Sequence, residues 1–270
     1  MEIDQLPIWE ALYMCFDLET TGVNVSDDRI VQIAVSYFHR GKVVQQHTQL
    51  IHPGRAIPEG ASKVHGVWDK DVADQPSLSD FIERLKPHLR GEVLPHLPPP
   101  VLLGYNIIAY DVPLFKNELS RMGEDQDLLK LPMIDLIYFA RWHLRHHRSL
   151  KLVNLCEHFG VKLDHAHDAL FDAKACGELL PLFHRSGYLP QTVGEMIEEQ
   201  SRLIQRQEEE YQRYKRWLYH DRQTGELMLG QSQYIGTPLA RVDKGFLRHC
   251  LDRYDGIPEL VQEAFRAQLS

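Results

Sequence analysis

A chain of 270 residues and 31.4 kDa, 43% hydrophobic and 25% charged, is long enough for one elaborated domain or two average ones. That balance excludes a disordered polymer and a membrane-spanning bundle, and no apolar run approaches bilayer length. A formal net charge of -8 argues against a protein that coats nucleic acid through bulk positive potential, although not against an enzyme that acts on one.

Residues 1–190 hold 25 acidic and 19 basic side chains, against 13 and 11 in residues 195–270, so the excess acid lies in the N-terminal part, where divalent cations would offset it. The chain opens with Glu2 and Asp4 rather than the basic and apolar regions of a secretory signal. Cys15, Cys156, Cys176 and Cys250 form no C-x-x-C pair and read as reduced, buried thiols, so a cytoplasmic protein is expected.

In chain order, Tyr13 to Leu18 is a short apolar run ending in acid, which predicts a buried strand that delivers carboxylates at its end. Ile30 to Phe38 and Val43 to Ile51 are rich in β-branched and aromatic residues, with Arg40-Gly41 as the hairpin turn between them. Ser77 to Leu89 has helical periodicity with Ser77 as N-cap. Val101 to Tyr105 and Leu131 to Asp135 are further short strands, the second ending in acid. Helices are predicted over Val112 to Met122, Leu136 to His146, Leu150 to Phe159 with Gly160 as C-cap, and Asp168 to Leu182. Three strands followed by alternating helices and strands predict an α/β domain with a mixed sheet covered on both faces.

From Val193 to His220 the composition turns to Glu, Gln, Arg and Tyr, which predicts a long exposed helix. Glycines 225, 230 and 236 then punctuate a turn-rich stretch before two short helices, Gly245 to Arg253 and Pro258 to Gln268. The expected organisation is a domain over 1–190, a helical linker over 191–222, and a small α+β or helical module over 223–270.

Three segments carry chemistry. In Asp17-Leu18-Glu19, strand alternation puts both carboxylates on one face, where they repel unless a hard divalent cation lies between them. In Asn106 to Asp111, a strand runs into a helix with Asp111 at the junction; Asp111 reads as the N-cap, as metal support, or as both. In His167 to Asp172, the helix presents Asp172 inward while His167 sits on the entry loop, placed as a base because imidazole titrates near neutral pH. His143, His146 and His147 lie at helical spacing among Arg141, Arg145 and Arg148, and read as a solvated basic face rather than a zinc site.

These three segments, in this order, resemble the motifs of the DEDDh family of 3′→5′ exonucleases, which has a ribonuclease H-like fold. F-D-L-E-T-T-G at Phe16 to Gly22 is similar to the first motif, N-x4-D at Asn106 to Asp111 to the second, and H-x4-D at His167 to Asp172 to the third. Lys63 to Val67 and Ile134-Asp135-Leu136 are supporting marks, and the likeness covers about residues 11–186. The spacing of the second motif, with Tyr-Asp-x-Pro-Leu, is more like Trex or exonuclease I than a polymerase proofreading subunit. The place four residues before the last Asp holds Asp168 rather than Tyr, which favours the histidine class.

The resemblance implies that Asp17, Glu19 and Asp172 hold one metal ion, with Asp17 bridging to a second that Asp111 supports. It implies two Mg²⁺ per site, with Mn²⁺ as a substitute, and His167 as the base. Leu18, Thr20, Thr21 and His65 would contact the terminal nucleotide; Asn106 would contact the strand nearby or make a structural hydrogen bond. The implied partner is the 3′ end of single-stranded DNA, with no membrane. An exoribonuclease and a non-catalytic nucleic-acid-binding or partner subunit are the rival readings.

Overall fold

The computed structural model describes residues 3–164, 166–254 and 256–269. The chain divides into two compact units, Met1–Ser201 and Arg202–Ser270.

The first unit is built on a five-stranded sheet in the order β3-β2-β1-β4-β5. Its strands are β1 (Leu12–Thr20), β2 (Ile30–His39), β3 (Lys42–Leu50), β4 (Pro100–Gly104) and β5 (Met133–Asp135). β1 and β3 run antiparallel to β2, whereas β4 is parallel to β1 and to β5. The mixed α/β sheet expected from the pattern is present, in the ribonuclease H-like fold that the resemblance implied. β2 and β3 meet at the expected turn, where Arg40 (φ 51°) and Gly41 (φ 70°) both adopt the left-handed conformation that suits a two-residue hairpin.

Helices cover both faces. They are α1 (Glu59–His65), α2 (Asp69–Val72), α3 (Leu78–Leu89), α4 (Asp111–Arg121), α5 (Leu136–His143), α6 (Leu152–Phe159) and α7 (Ala169–Arg185). Alternation along β1 sends Leu12, Met14, Phe16 and Leu18 into one apolar cluster with Leu85 and Leu89 of α3 and Phe115 and Leu119 of α4. Phe16 meets Phe115 edge to face, with ring centroids 5.9 Å apart. The intervening residues of β1 face the other side, where α7 packs. The α7 backbone approaches so closely that a Cβ on Gly177 would lie 2.3 Å from the Phe38 ring.

Local signals place the helix ends. Ser77 forms a capping box with Asp80, Gly160 closes α6 at φ 70°, and the carboxylates of Asp135 and Asp168 accept from Ile137 and Leu170 at the starts of α5 and α7. One expectation is corrected: Asp111 is not the N-cap of α4. Tyr110 occupies that position with no side-chain bond, and Asp111, the first helical residue, turns its carboxylate to the end of β1 instead. The short helices α1 and α2 were absent from the sequence reading, because seven and four residues are too few for helical periodicity to register.

Helix α8 (Val193–Trp217) contains the division between the units. Its first turns belong to the first unit, where Val193, Met196 and Gln200 are buried and Gln200 bonds the backbone of Met133 and Asp135. Its end belongs to the second unit, where Tyr214 and Trp217 pack against a core of Leu218, Leu229, Leu247, Val261 and Phe265. The second unit adds a two-stranded hairpin, β6 (Leu218–His220) with β7 (Leu227–Leu229), and helices α9 (Lys244–Arg253) and α10 (Glu259–Leu269). All four cysteines are free and buried. Among the described residues, no helix is long and apolar enough to cross a membrane.

Candidate metal centre

Three elements bring the acidic residues together at the C-terminal end of β1. Asp17 and Glu19 lie opposite Ala34 and Gln32 of β2, on the α7 face of the sheet. Asp172 sits in the first turn of α7, on the stripe of Ala169, Ala173 and Cys176 that packs on the sheet. One carboxylate oxygen from each of Asp17, Glu19 and Asp172 falls within 4.8 Å of the others. Asp111 arrives from α4, where its Oδ1 accepts the Leu18 N–H at 3.1 Å, so the backbone of β1 fixes the fourth carboxylate beside the other three.

The electrostatics of the group are unfavourable as it stands. Burial, then the charges of Asp111, Asp172 and Glu19, hold the Asp17 carboxyl well above its usual range. Burial and the Asp172 charge push Glu19 up to about 9. Burial raises Asp111 to about 8 and Asp172 to about 6, against the lowering effect of their backbone hydrogen bonds. Among the described residues, no Lys or Arg pairs with any of the four. Asp172 is 9% exposed, and its buried Oδ1 has no hydrogen-bond partner. An all-oxygen cluster with an unpartnered buried oxygen fits a hard divalent cation, which would reverse the repulsion that raises these groups.

Backbone geometry at the entry to α7 aims this cluster. His167 is in the left-handed region, φ 65°, at a cost of about 1–2 kcal/mol for a non-glycine residue. That conformation points its N–H at Asp172 Oδ2, 3.1 Å away. The His167 imidazole is exposed, and its charge is felt by both Asp172 and His65. His65 is 9% exposed, and its Nδ1 accepts the Val67 N–H at 3.1 Å, which assigns the ring proton to Nε2. Nε2 is buried, and burial lowers the pKa of the ring against the raising effect of the Thr20 backbone. His65, Gln32, Thr48 and Asp168 line an open cleft of about 650 Å³.

The remaining expected residues have internal partners. Leu18 places its side chain in the core, 5% exposed, and spends its N–H on Asp111, so it offers the site an edge rather than a surface. Thr20 Oγ1 lies 2.7 Å from Gly22 O and 2.5 Å from Tyr110 Oη, and the two hydroxyl protons are shared among these three atoms; Thr21 Oγ1 donates to Asp28 Oδ1 at 2.7 Å. Asn106 is left-handed, φ 69°, a conformation Asn tolerates, and its N–H donates to buried Asp135 at 2.6 Å. The Ile108 N–H bonds the other oxygen of Asp135, so this strand-end acid clamps the loop that delivers Asp111.

Two contributors were absent from the sequence reading. Gln32, 6% exposed and opposite Glu19, accepts the Ala169 N–H at 3.3 Å and donates to Thr48, tying the start of α7 to β2 and β3. Its signal was a glutamine inside an otherwise apolar strand. Tyr110 joins Thr20 to the carbonyl of Gly22. The three neighbouring histidines hold no metal cluster among the described residues; His143 stacks on Tyr188 at 4.7 Å.

The DNA polymerase III PolC-type of Streptococcus thermophilus is 31% identical over 180 residues, covering 67% of this chain and 12% of that one. The PolC-type enzyme of Lactococcus lactis is 28% identical over 176 residues, covering 65% and 10%. The chain thus spans about an eighth of the length of the curated relatives it matches. Among solved structures, E. coli exonuclease I in complex with a dT13 oligonucleotide superposes with a TM-score of 0.56 at 17% identity, over 91% of this chain and 60% of that one. Exonuclease I from Methylocaldum szegediense gives 0.55 at 17% identity, over 92% and 61%. These two show a shared fold. A family model described as exonuclease (RNase_T) matches residues 14–180, the stretch that holds the whole acidic cluster, and the chain therefore belongs to the RNase_T exonuclease family.

Proposed function

We propose that this chain is a 3′→5′ exonuclease that removes nucleotides from the 3′ end of single-stranded DNA. The observation that carries the reading is the convergence of Asp17, Glu19, Asp111 and Asp172 with no cationic side chain among them and one buried oxygen left unpartnered. Asp17, Glu19 and Asp172 would hold one divalent cation and Asp17 with Asp111 a second, Mg²⁺ or in its place Mn²⁺; such ions draw charge from the scissile phosphate and acidify the attacking water.

The protein's own groups supply position and proton transfer. The Leu18 N–H fixes Asp111, and the His167 N–H fixes Asp172, so the acid cluster is held from two sides before substrate arrives. The exposed His167 ring, beside the Asp172 charge, takes the proton from the attacking water and passes it to solvent. His65, on the wall of the cleft, would contact the terminal nucleotide. The Thr20–Tyr110–Gly22 network holds the end of β1 rigid where the terminal sugar would lie.

A DNA substrate is supported by the PolC-type relatives and by the oligonucleotide complexes of the fold's neighbours. The test incubates the purified protein with 5′-labelled single-stranded DNA and RNA, with Mg²⁺ or with chelator. A 3′-shortening ladder on DNA, abolished by chelator, is expected. A ladder confined to RNA would make the chain an exoribonuclease, and no ladder on either would leave a binding subunit.

A further inference from the structure

The second unit carries a concave site of its own, about 440 Å³, lined by the end of α8, residues 231 and 232, and α9 with Tyr254 and Gly256 beyond it. Its wall presents the rings of Trp217, Phe246 and Tyr254 and the side chains of Arg213 and Arg216. No carboxylate is among the described residues that line it. Arg213 is anchored, with Nη2 donating to Gly256 O, whereas the exposed Arg216 guanidinium has no partner among the described residues.

The aromatic rings are not all spent on the core. Trp217 packs edge to face on Phe265, 6.0 Å between centroids, and on Tyr254, at 6.2 Å. Tyr254 itself is 55% exposed. The opposite wall holds Ser232 in the left-handed region, φ 74°, one of four non-glycine residues so placed among those described. Two of the others, Asn106 and His167, flank the acidic cluster, and strain of this kind is retained where the surroundings hold a side chain in a required place.

We propose that this site binds one nucleotide unit of a single-stranded nucleic acid, with a base against the Tyr254 and Trp217 rings and the adjoining phosphate on Arg216. Flat apolar rings beside a planar cation match the two halves of a nucleotide. The Ser232 hydroxyl and Gln231 amide at the rim are donors or acceptors for a base edge, and they demand no particular base. The assignment goes beyond the catalytic reading and does not depend on it.

The experiment measures binding of a 5′-labelled oligo-dT 20-mer to the full chain in chelator, by fluorescence anisotropy, alongside hydrolysis of a small chromogenic thymidine phosphodiester with Mn²⁺. Arg216→Glu is expected to weaken oligonucleotide binding about tenfold and Tyr254→Ala about fivefold, while Tyr254→Phe, which keeps the ring, binds like the parent. Hydrolysis of the small diester should be unchanged in all three variants. Equal affinity across the parent, Arg216→Glu and Tyr254→Ala would overturn the assignment, as would displacement of the oligonucleotide by a phosphorylated peptide at the same concentration as by unlabelled oligo-dT. Affinity losses in variants of a chain that hydrolyses nothing would remove the catalytic reading and leave this one standing.

Discussion

Two buried acidic groups in the first unit differ in what surrounds them. Glu118, 1% exposed, receives Arg29 Nε at 2.5 Å and Nη2 at 3.1 Å, and Arg121 Nη1 at 2.7 Å. Seven residues earlier in the chain, Asp111 joins Asp17, Glu19 and Asp172 with only backbone N–H groups for company. A carboxylate that the chain neutralises by itself is architecture: Arg29 and Arg121 tie α4 to the loop after β1. Carboxylates that the chain leaves facing one another are destabilising until something from solution joins them, and a site of that kind is kept for what it binds.

The contrast is broken or sharpened most forcefully by activity. Asp172→Asn should abolish 3′ shortening of labelled DNA to below about a thousandth of the parent rate, and His167→Ala should lower kcat by about 10²–10⁴ while cation binding, followed by calorimetry, persists in the second variant. Near-parent rates for His167→Ala would remove that residue from proton transfer.

Stability should respond in opposite senses at the two clusters. Glu118→Gln leaves two half-buried guanidiniums with a neutral partner and is expected to cost about 2–3 kcal/mol in urea unfolding, with cation binding intact. Asp17→Asn removes a repelled charge and should raise the stability of the metal-free protein, the reverse of the usual effect of altering a buried residue. A destabilised Asp17→Asn protein would show that the cluster is compensated internally.

The pH profile of the metal-free protein should slope the same way. Glu19, Asp111 and Asp172 titrate near 9, 8 and 6 in the folded chain and near 4 when unfolded, so the folded state binds more protons between those limits. Unfolding free energy therefore falls as pH rises from about 5 to 9, and saturating Mg²⁺ should flatten the decline by adding about 2.7 kcal/mol at a hundredfold excess over its Kd. Thermal unfolding with and without the cation reads both slopes.

The smallest effect is a control away from both clusters. Burial and the neighbouring His47 lower His88 to about 4, below its unfolded value, so its contribution is complete above about pH 6.5 and is lost as pH falls toward 4. His88→Gln should flatten that acid limb and leave the alkaline decline untouched.

Much of the first unit was legible residue by residue. Strand alternation set Asp17 and Glu19 on one face, the Arg40-Gly41 pair marked its hairpin, and Ser77 and Gly160 marked helix ends, because each of these signals is carried by neighbours in sequence. Asp111 shows the limit. Its position at a strand–helix junction suggested a cap, yet its carboxylate reaches across 93 positions to the Leu18 N–H. Gln32 and Tyr110 were silent for the same reason, since a lone polar residue acquires a role only from the element packed against it. Residues 191–222 read as a linker on composition, but the buried side of α8 belongs to two cores, and that division depends on packing rather than on local charge.

Taken by itself, the sequence determined much of the inventory: the five strands and longer helices of the first unit, the residues able to ligate a hard cation, and the histidine next to them in the third segment. Tertiary structure alone decided that four carboxylates from β1, α4 and α7 share one end of the sheet without a countercharge, and that Glu118 does not. The reason is that propensity and periodicity act over a few residues, whereas the charge balance of a buried group is set by whichever distant side chains the fold packs around it.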